Sequence, residues 1–232
     1  MTIIETNTAQ RLQSVAFDLY RDIHKGIRSE LFAVVGEAGR VDPANDCDVE
    51  ALADQVRRTT ELLVQHAEHE DVSVQPALEL HAPTLAEQIA TDHSALDARL
   101  GWLVELAGDL RTADSRRTAV HEIYIELSAF TSAYLAHQDL EERQVSQALE
   151  SALGVQGVLG LHASIIGNMA PQQLISGLAV MFPAMNVDDR TDLLGGMKAN
   201  APAEAFDGVW SLAKSVLSSD DSRAVATRLG IA

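Results

Sequence analysis

The apolar residues of this chain recur at steps of three and four, and the same stripes carry histidine and glutamate. One such stripe ends in both: Val120, Ile123, Leu127, Phe130, Tyr134, His137 and Glu141. Because a helix turns about 100° per residue, residues at these steps share one face. An apolar face packs inward, so the chain can fold only if imidazole and carboxylate groups enter its core.

Similar stripes predict four amphipathic helices, over residues 12–34, 52–70, 84–107 and 120–141. Pro76 and Pro83 interrupt the second stripe, and Thr84 with Glu87 forms a capping box that opens the third helix. Strand signals are weak, since aromatic residues make up 4% of the chain and no Asn-Gly pair occurs. The predicted fold class is all-α, an antiparallel four-helix bundle, because shortish connections place consecutive helices side by side.

Glycines and prolines cut the chain into short pieces after about residue 152. Short helices are predicted there over residues 158–168, 171–182, 188–199, 202–218 and 220–229. The predicted organisation is therefore a four-helix bundle over residues 1–152 and a C-terminal helical extension over residues 153–232, packed on or beside the bundle.

Charge and cysteine content restrict the partners and the compartment. The net charge is −17, so phosphate backbones are repelled and no nucleic-acid partner is expected. The longest apolar run, Leu174 to Met185, has about twelve residues against the ~20 of a membrane-spanning helix, so no membrane partner is expected. Since Cys47 is the only cysteine and the first residues lack a signal-peptide pattern, the chain is predicted to be cytoplasmic.

Two segments of the chain form a weak internal repeat. Residues 66–79 align without gaps with residues 137–150, and each segment begins with histidine and ends with Ala-Leu-Glu. Both place glutamate four residues after the histidine, one helical turn away on the same face. Glu70 and Glu141 are thereby predicted to point inward with His66 and His137.

His24 and His93 fall on inner stripes of the two other helices, which completes a set of four imidazoles and two carboxylates. A buried carboxylate needs a cation, a donor network or a raised pKa. Mixed imidazole and carboxylate ligation suits iron, zinc or manganese, and carboxylates bridge two ions about 3.5–4 Å apart. A two-metal centre fits this set better than a metal-free polar core, a single structural zinc ion or a haem.

This pattern, one histidine on each of two helices and His-x-x-x-Glu on the other two, resembles the hemerythrin-like, or HHE cation-binding, family. The resemblance covers about residues 12–152 and is most specific at His66, Glu70, Asp71 and Pro76. It implies a non-haem di-iron centre with two bridging carboxylates and an oxo or hydroxo bridge.

The same resemblance implies a role for each residue of the set. His24 and His66 would hold one iron, and His93 and His137 the other. Glu70 and Glu141 would bridge the two ions. Glu142 is an alternate to Glu141, because carrier members of the family place an acid five residues after that histidine.

Carrier hemerythrins also have two histidines four residues apart on the third helix, where this chain has Ile89 before His93 and Asp97 after it. One iron is then short of a ligand, and His162 in the extension is a candidate to approach it. The predicted function is binding or turnover of oxygen, peroxide or nitric oxide. A di-iron oxidase or oxygenase acting on an organic substrate, and an iron or oxygen sensor, remain open as alternatives.

The remaining histidines and two tyrosines are assigned structural roles. His69, His81 and His121 lie off the inner stripes or near helix ends, and are expected at the surface. Tyr20 and Tyr134 lie one turn before His24 and His137 on the same faces, where they are expected to fill the core.

Overall fold

The computed structural model of the protein describes residues 12–231, and these residues are almost entirely helical, without a β-strand. A π-helical turn, Glu141–Val145, continues the helices on either side of it without a break. The helices in chain order are α1 (Arg21–Ala38), α2 (Asp46–Ser73), α3 (Gln75–His81), α4 (Pro83–Asp109), α5 (Arg116–Leu140), α6 (Ser146–Asn168), α7 (Pro171–Ala184), α8 (Val187–Asn200), α9 (Ala203–Val216) and α10 (Ser219–Leu229).

Helices α1, α2, α4 and α5 form the predicted four-helix bundle. Each contacts two others in a closed ring, since α1 and α4 both pack against α2 and α5. The centre is filled by fully buried aliphatic side chains such as Ile27, Leu31, Leu52 and Ile123. Burying one such side chain contributes about 1.5–3 kcal/mol, so the inward stripes drive the assembly. The all-α bundle with an appended helical region is confirmed.

The first helix begins later than the sequence predicts. The carboxylate of Asp18 accepts hydrogen bonds from the backbone N–H groups of Tyr20 and Arg21, at 3.0 and 3.1 Å. This local turn immediately precedes α1, which begins at Arg21, and Leu12 is exposed. The prediction of helix over residues 12–20 is therefore wrong.

The start of α4 also differs from its prediction. The helix begins at Pro83, which needs no partner for a backbone N–H, and no side-chain cap is found at Ala82. Thr84 therefore lies inside the first turn, and the predicted capping box with Glu87 is wrong. The interruption at Pro76 and Pro83 is confirmed, because α2 ends at Ser73, Pro76 lies in the first turn of the short helix α3, and Pro83 begins α4.

No loop separates the bundle from the residues that follow it. Helix α6 continues past residue 152 with a kink at Gly154, whose backbone has φ 65° and ψ 173°. Beyond the kink, Val158 packs with Tyr20, Leu78 and Ile89 in a second apolar cluster beneath the bundle. A third cluster joins α7 to α10. The domain boundary at residues 152 and 153 stays a prediction.

The C-terminal helices dock on α1. Gly26 of α1 meets α7 so closely that a Cβ there would lie 3.0 Å from Cγ1 of Val180. Next to this contact, Lys25 pairs with the buried carboxylate of Asp189 at the start of α8, and Arg21 lies 3.8 Å from the same group. Helix α1 thus contributes one face to the bundle and another to the extension.

The helical stretch Arg116–Asn168 contains one segment of 18 residues that is long and apolar enough to cross a membrane, by length and composition alone. Of this segment, 11% is buried. Core helices of soluble proteins also meet this criterion. The expectation of no membrane partner stays a prediction.

Replacing Gly154 by alanine is expected to destabilise the protein by about 1–3 kcal/mol, because its φ and ψ lie in a region that is essentially restricted to glycine. The free energy of unfolding from urea titration would measure the change. Gly160→Ala is the matched control, since Gly160 lies within the same helix with nothing within 4 Å of its Cβ position. The control is expected to stabilise by about 0.5–1 kcal/mol. Equal effects of both substitutions would contradict a strained kink at Gly154.

Candidate metal centre

The structure brings together six side chains that the sequence predicts as metal ligands. Their ligand atoms form two overlapping groups, in each of which all the atoms lie within 4.8 Å of one another. The two groups share Glu70 and Glu141. The six residues are His24 on α1, His66 and Glu70 on α2, His93 on α4, His137 on α5 and Glu141 in the π-helical turn.

The π-helical turn explains how α5 and α6 keep one face inward. His137, Glu141, Val145 and Leu149 are spaced at steps of four and are all buried. In a regular α-helix each such step overshoots a full turn by about 40°, so three steps would rotate the last side chain away from the core. The wider π-helical turn absorbs this drift, and Glu141 stays inside the bundle.

Each carboxylate directs one oxygen at each histidine pair. Glu70 places Oε1 3.2 Å from Nε2 of His66 and Oε2 3.5 Å from Nε2 of His93. Glu141 places Oε2 3.4 Å from Nε2 of His24 and Oε1 3.2 Å from Nε2 of His137. Each carboxylate therefore lies between the two histidine pairs.

The imidazoles face each other through their Nε2 atoms, 3.3 Å apart for His24 and His66 and 3.1 Å apart for His93 and His137. Nδ1 of His24 and Nδ1 of His93 contact the carboxylates of Glu142 and Asp71 at 2.9 and 2.8 Å. A ring that donates Nδ1–H to a carboxylate keeps a lone pair on Nε2. In that form, Nε2 of His24 and Nε2 of His93 are available to a cation.

The carboxylate oxygens lack donors as well. Both oxygens of Glu70 and Oε2 of Glu141 are buried without a hydrogen-bond partner in the described part of the chain. Leaving a buried charged acceptor unsatisfied costs several kcal/mol. A set of facing imidazole lone pairs and unpartnered carboxylate oxygens fits two metal cations.

Without metal, the pKa values of these groups are shifted far from their ordinary values. Burial, together with the charge of Glu141, raises the pKa of Glu70 to about 7. Burial, together with the charge of His24, lowers the pKa of His66 to about 3. For His93, burial acts to lower the pKa, but the contacts with Glu141 and Glu70 outweigh it and raise the pKa to about 11. When no metal is bound, protons on His93 and, below about pH 7, on Glu70 take the place of cations, while His66 is neutral.

Glu142 lies behind His24 and outside both ligand groups. Besides contacting Nδ1 of His24, its carboxylate accepts two hydrogen bonds from the Arg28 guanidinium, at 2.6 and 3.1 Å. Burial acts to raise the pKa of Glu142, but these hydrogen bonds outweigh it and lower the pKa to about 2. Between the two adjacent acids, the structure directs Glu141 and not Glu142 at the histidine pairs.

His162 is not brought to the centre. Its ring is exposed and packs edge-on against Phe17, with 5.2 Å between the ring centroids. His81 and His121 are exposed as expected, and His69 is half-buried. None of these four histidines belongs to either ligand group.

Both tyrosines pack against ligand histidines, as expected. Tyr20 and Tyr134 are buried, with ring centroids 5.0 Å from His24 and 5.9 Å from His137. Burial and the charges of Glu70 and Glu141 raise the pKa of both phenols. The hydroxyl groups therefore stay protonated beside the centre.

Sequence reasoning missed two charged residues around the centre, Arg28 and Asp92. Arg28 lies one turn after His24, a spacing that could have indicated a partner for an acid near that ring. Asp92 directly precedes His93 but approaches His137, with Oδ2 3.6 Å from Nδ1. No local spacing signals a contact that depends on how α4 and α5 pack.

Comparison with known proteins agrees with this geometry. A family model described as the hemerythrin HHE cation binding domain matches residues 15–154, which is more than half of the chain and includes all six residues. No curated protein matches the chain significantly, and neither does any solved structure. The chain belongs to the hemerythrin HHE cation-binding family.

Proposed function

We propose that the protein is a non-haem di-iron protein that binds or turns over a small ligand, namely oxygen, peroxide or nitric oxide. The observation that carries this proposal is the placement of Glu70 and Glu141, each with one oxygen toward each histidine pair. One ion would need only one of these pairs. Two ions give every oxygen and every Nε2 a partner.

Iron is favoured by the donor set. Two imidazoles and two shared carboxylates per ion suit iron, whereas structural zinc is usually held by four ligands around a single ion. A pair of bound iron ions supplies redox chemistry toward oxygen, peroxide or nitric oxide. The chain's own part is to fix the imidazole rings, exclude bulk water and hold protons at Nδ1 of His24 and His93.

Turnover is favoured over reversible storage. The position one turn before His93 is Ile89, which is buried in the second apolar cluster, and the position one turn after is Asp97, which is exposed. Neither adds the third imidazole that the carrier pattern has on this helix. Two imidazoles and two shared carboxylates would hold each ion, which would leave positions for exchangeable ligands.

A sensor is the second candidate, because the extension is attached to a ligand-bearing helix. Lys25 and Gly26 follow His24 directly, and they contact Asp189 and Val180 of the extension. Faster proteolysis of residues 171–231 after metal removal would favour this reading. Neither of two surface clefts, of about 510 and 290 Å³, would bring an organic substrate to the centre, because neither is lined by any of the six residues.

The cytoplasm is the compartment that we propose. The free thiol of Cys47 is exposed, which suits a reducing environment.

Purified protein is expected to contain about two iron ions per chain, with near-ultraviolet absorption from a bridged ferric pair, because two shared carboxylates arrange two ions together. Glu70→Ala and Glu141→Ala should each lower the iron content at both positions. Asp139→Ala, an exposed acid on α5, is the matched control and should retain both ions. Metal analysis with absorption spectra would test this, and a single zinc ion in protein made with ample iron would exclude a di-iron centre.

Metal removal is expected to destabilise the protein, by on the order of 4 kcal/mol when free iron is a thousandfold above its dissociation constant. Without metal, the pKa of Glu70 is raised from 4.5 to about 7, so its contribution is present at low pH and is mostly lost by pH 7. The pKa of His93 is raised from 6.5 to about 11, so its contribution continues to be lost between pH 7 and pH 8. The difference between metal-free and loaded protein should therefore grow from pH 7 to pH 8.

Chemical denaturation of both forms at the two pH values would measure this difference. His66 does not oppose the trend, because its pKa is lowered to about 3 from an unfolded value of 6.5, so it is largely neutral in both states across this window. Identical unfolding midpoints of the two forms would show that the six residues do not hold a metal in the core.

Adding hydrogen peroxide to the ferric protein is expected to release oxygen or oxidise an added donor, because exchangeable positions remain at the centre. Ile89→His should lower this activity by supplying a further imidazole, and Ile89→Leu, which keeps an apolar side chain of similar volume, should retain it. Inertness toward peroxide, combined with a long-lived and reversible spectral change on aeration of the reduced protein, would make the protein a carrier.

A further inference from the structure

The two histidine pairs differ in the charged side chains behind their rings, that is, near the Nδ1 atoms on the side away from Nε2. Two aspartates lie on the Nδ1 side of His93 and His137: Asp71 Oδ1 is within hydrogen-bond distance of Nδ1 of His93, at 2.8 Å, whereas Asp92 Oδ2 is 3.6 Å from Nδ1 of His137 and acts there only as a nearby charge. Neither aspartate makes an ion pair with lysine or arginine among residues 12–231. This pair is therefore backed by two negative charges.

The other pair is backed by no net charge. Glu142 contacts Nδ1 of His24, but both of its oxygens also accept hydrogen bonds from Arg28, which neutralises the carboxylate. In the described part of the chain, the polar contacts of the His66 ring are all made through Nε2. His66 thus lacks a carboxylate behind it.

A carboxylate behind a ligand imidazole fixes the ring and makes its free nitrogen a stronger donor to a metal, and losing such a partner costs about 10–100-fold in affinity. The effect weakens when an arginine compensates the carboxylate. We propose that the two metal positions fill in order, the His93–His137 position first and more tightly, and that Arg28 keeps the His24–His66 position weak. This inference rests on the proposed two-metal centre.

An ordered filling gives the two ions different roles. His93 and His137, together with Glu70 and Glu141, would hold one ion at low iron concentration, and the two carboxylates would then already be placed for a second ion. His24 and His66 would hold the ion that exchanges with the available iron. Arg28 contacts no ligand atom and acts through Glu142, so it is a positioning residue.

The test is calorimetric titration of the metal-free full-length protein with ferrous iron under anaerobic conditions. Two binding steps are expected, separated by about tenfold or more in affinity. His66→Gln should abolish the weaker step and keep the tighter one, whereas His137→Gln should abolish the tighter step. Since both substitutions remove one imidazole from the same core, each is the control for the other.

Variants behind the rings test the cause. Asp71→Asn should weaken the tighter step by about 10–100-fold. Arg28→Gln frees the charge of Glu142 and should strengthen the weaker step, on the order of tenfold, while Arg28→Lys should restore the parental value. A purely structural role of Arg28 would weaken binding in the Gln variant, and that result would overturn the proposal.

Total stoichiometry separates this inference from the proposed function. Fewer than two ions bound by the parent protein would overturn the two-metal centre itself. Two ions bound with equal affinity, or a tighter step that disappears in His66→Gln, would overturn only the order of filling.

Discussion

Two glutamate side chains inside a bundle that offers them almost no hydrogen-bond donors are the constraint on which the rest of this structure depends. Apolar packing contributes most of the folding energy, but it cannot accommodate unpartnered carboxylates. Glu70 and Glu141 therefore make the fold conditional on what neutralises them: protons shared with the histidines, or metal cations. Stability and function reside in the same few atoms, so selection on one acts on the other.

Helix α1 connects the parts of the molecule. On its inner side it provides His24, and the following turn provides the Arg28 that holds Glu142. On its outer side Lys25 and Gly26 receive the C-terminal helices. A change in the position of α1 would move His24 and the contacts with the extension together. The extension therefore has a physical means of influencing metal binding or responding to it.

Periodicity was enough to predict the bundle and the six inward residues, because a position on an apolar stripe is decided by steps of three and four alone. Helix boundaries were less predictable, since the Asp18 turn and the start at Pro83 are local choices that compete with equally plausible signals. The spacing of Arg28, one turn after His24, could have indicated an acidic partner, but that this partner is Glu142 depends on the packing of α1 against α5 and on an irregular turn that spacing did not reveal.

The π-helical turn also has a meaning for the length of the chain. Its wider winding places the face of α5 that carries His137 in phase with the face of α6 that carries Leu149. Deleting one residue within the turn would restore a regular helix in which the two faces stay within about 20° of each other, because eleven steps of 100° are close to three full turns. The turn is thus equivalent to one extra residue that is accommodated locally, while Glu141 and the second apolar cluster keep facing inward. Deleting a second residue would rotate the face of α6 by about 100° relative to that of α5, so this segment cannot drift in length during evolution as a surface loop can.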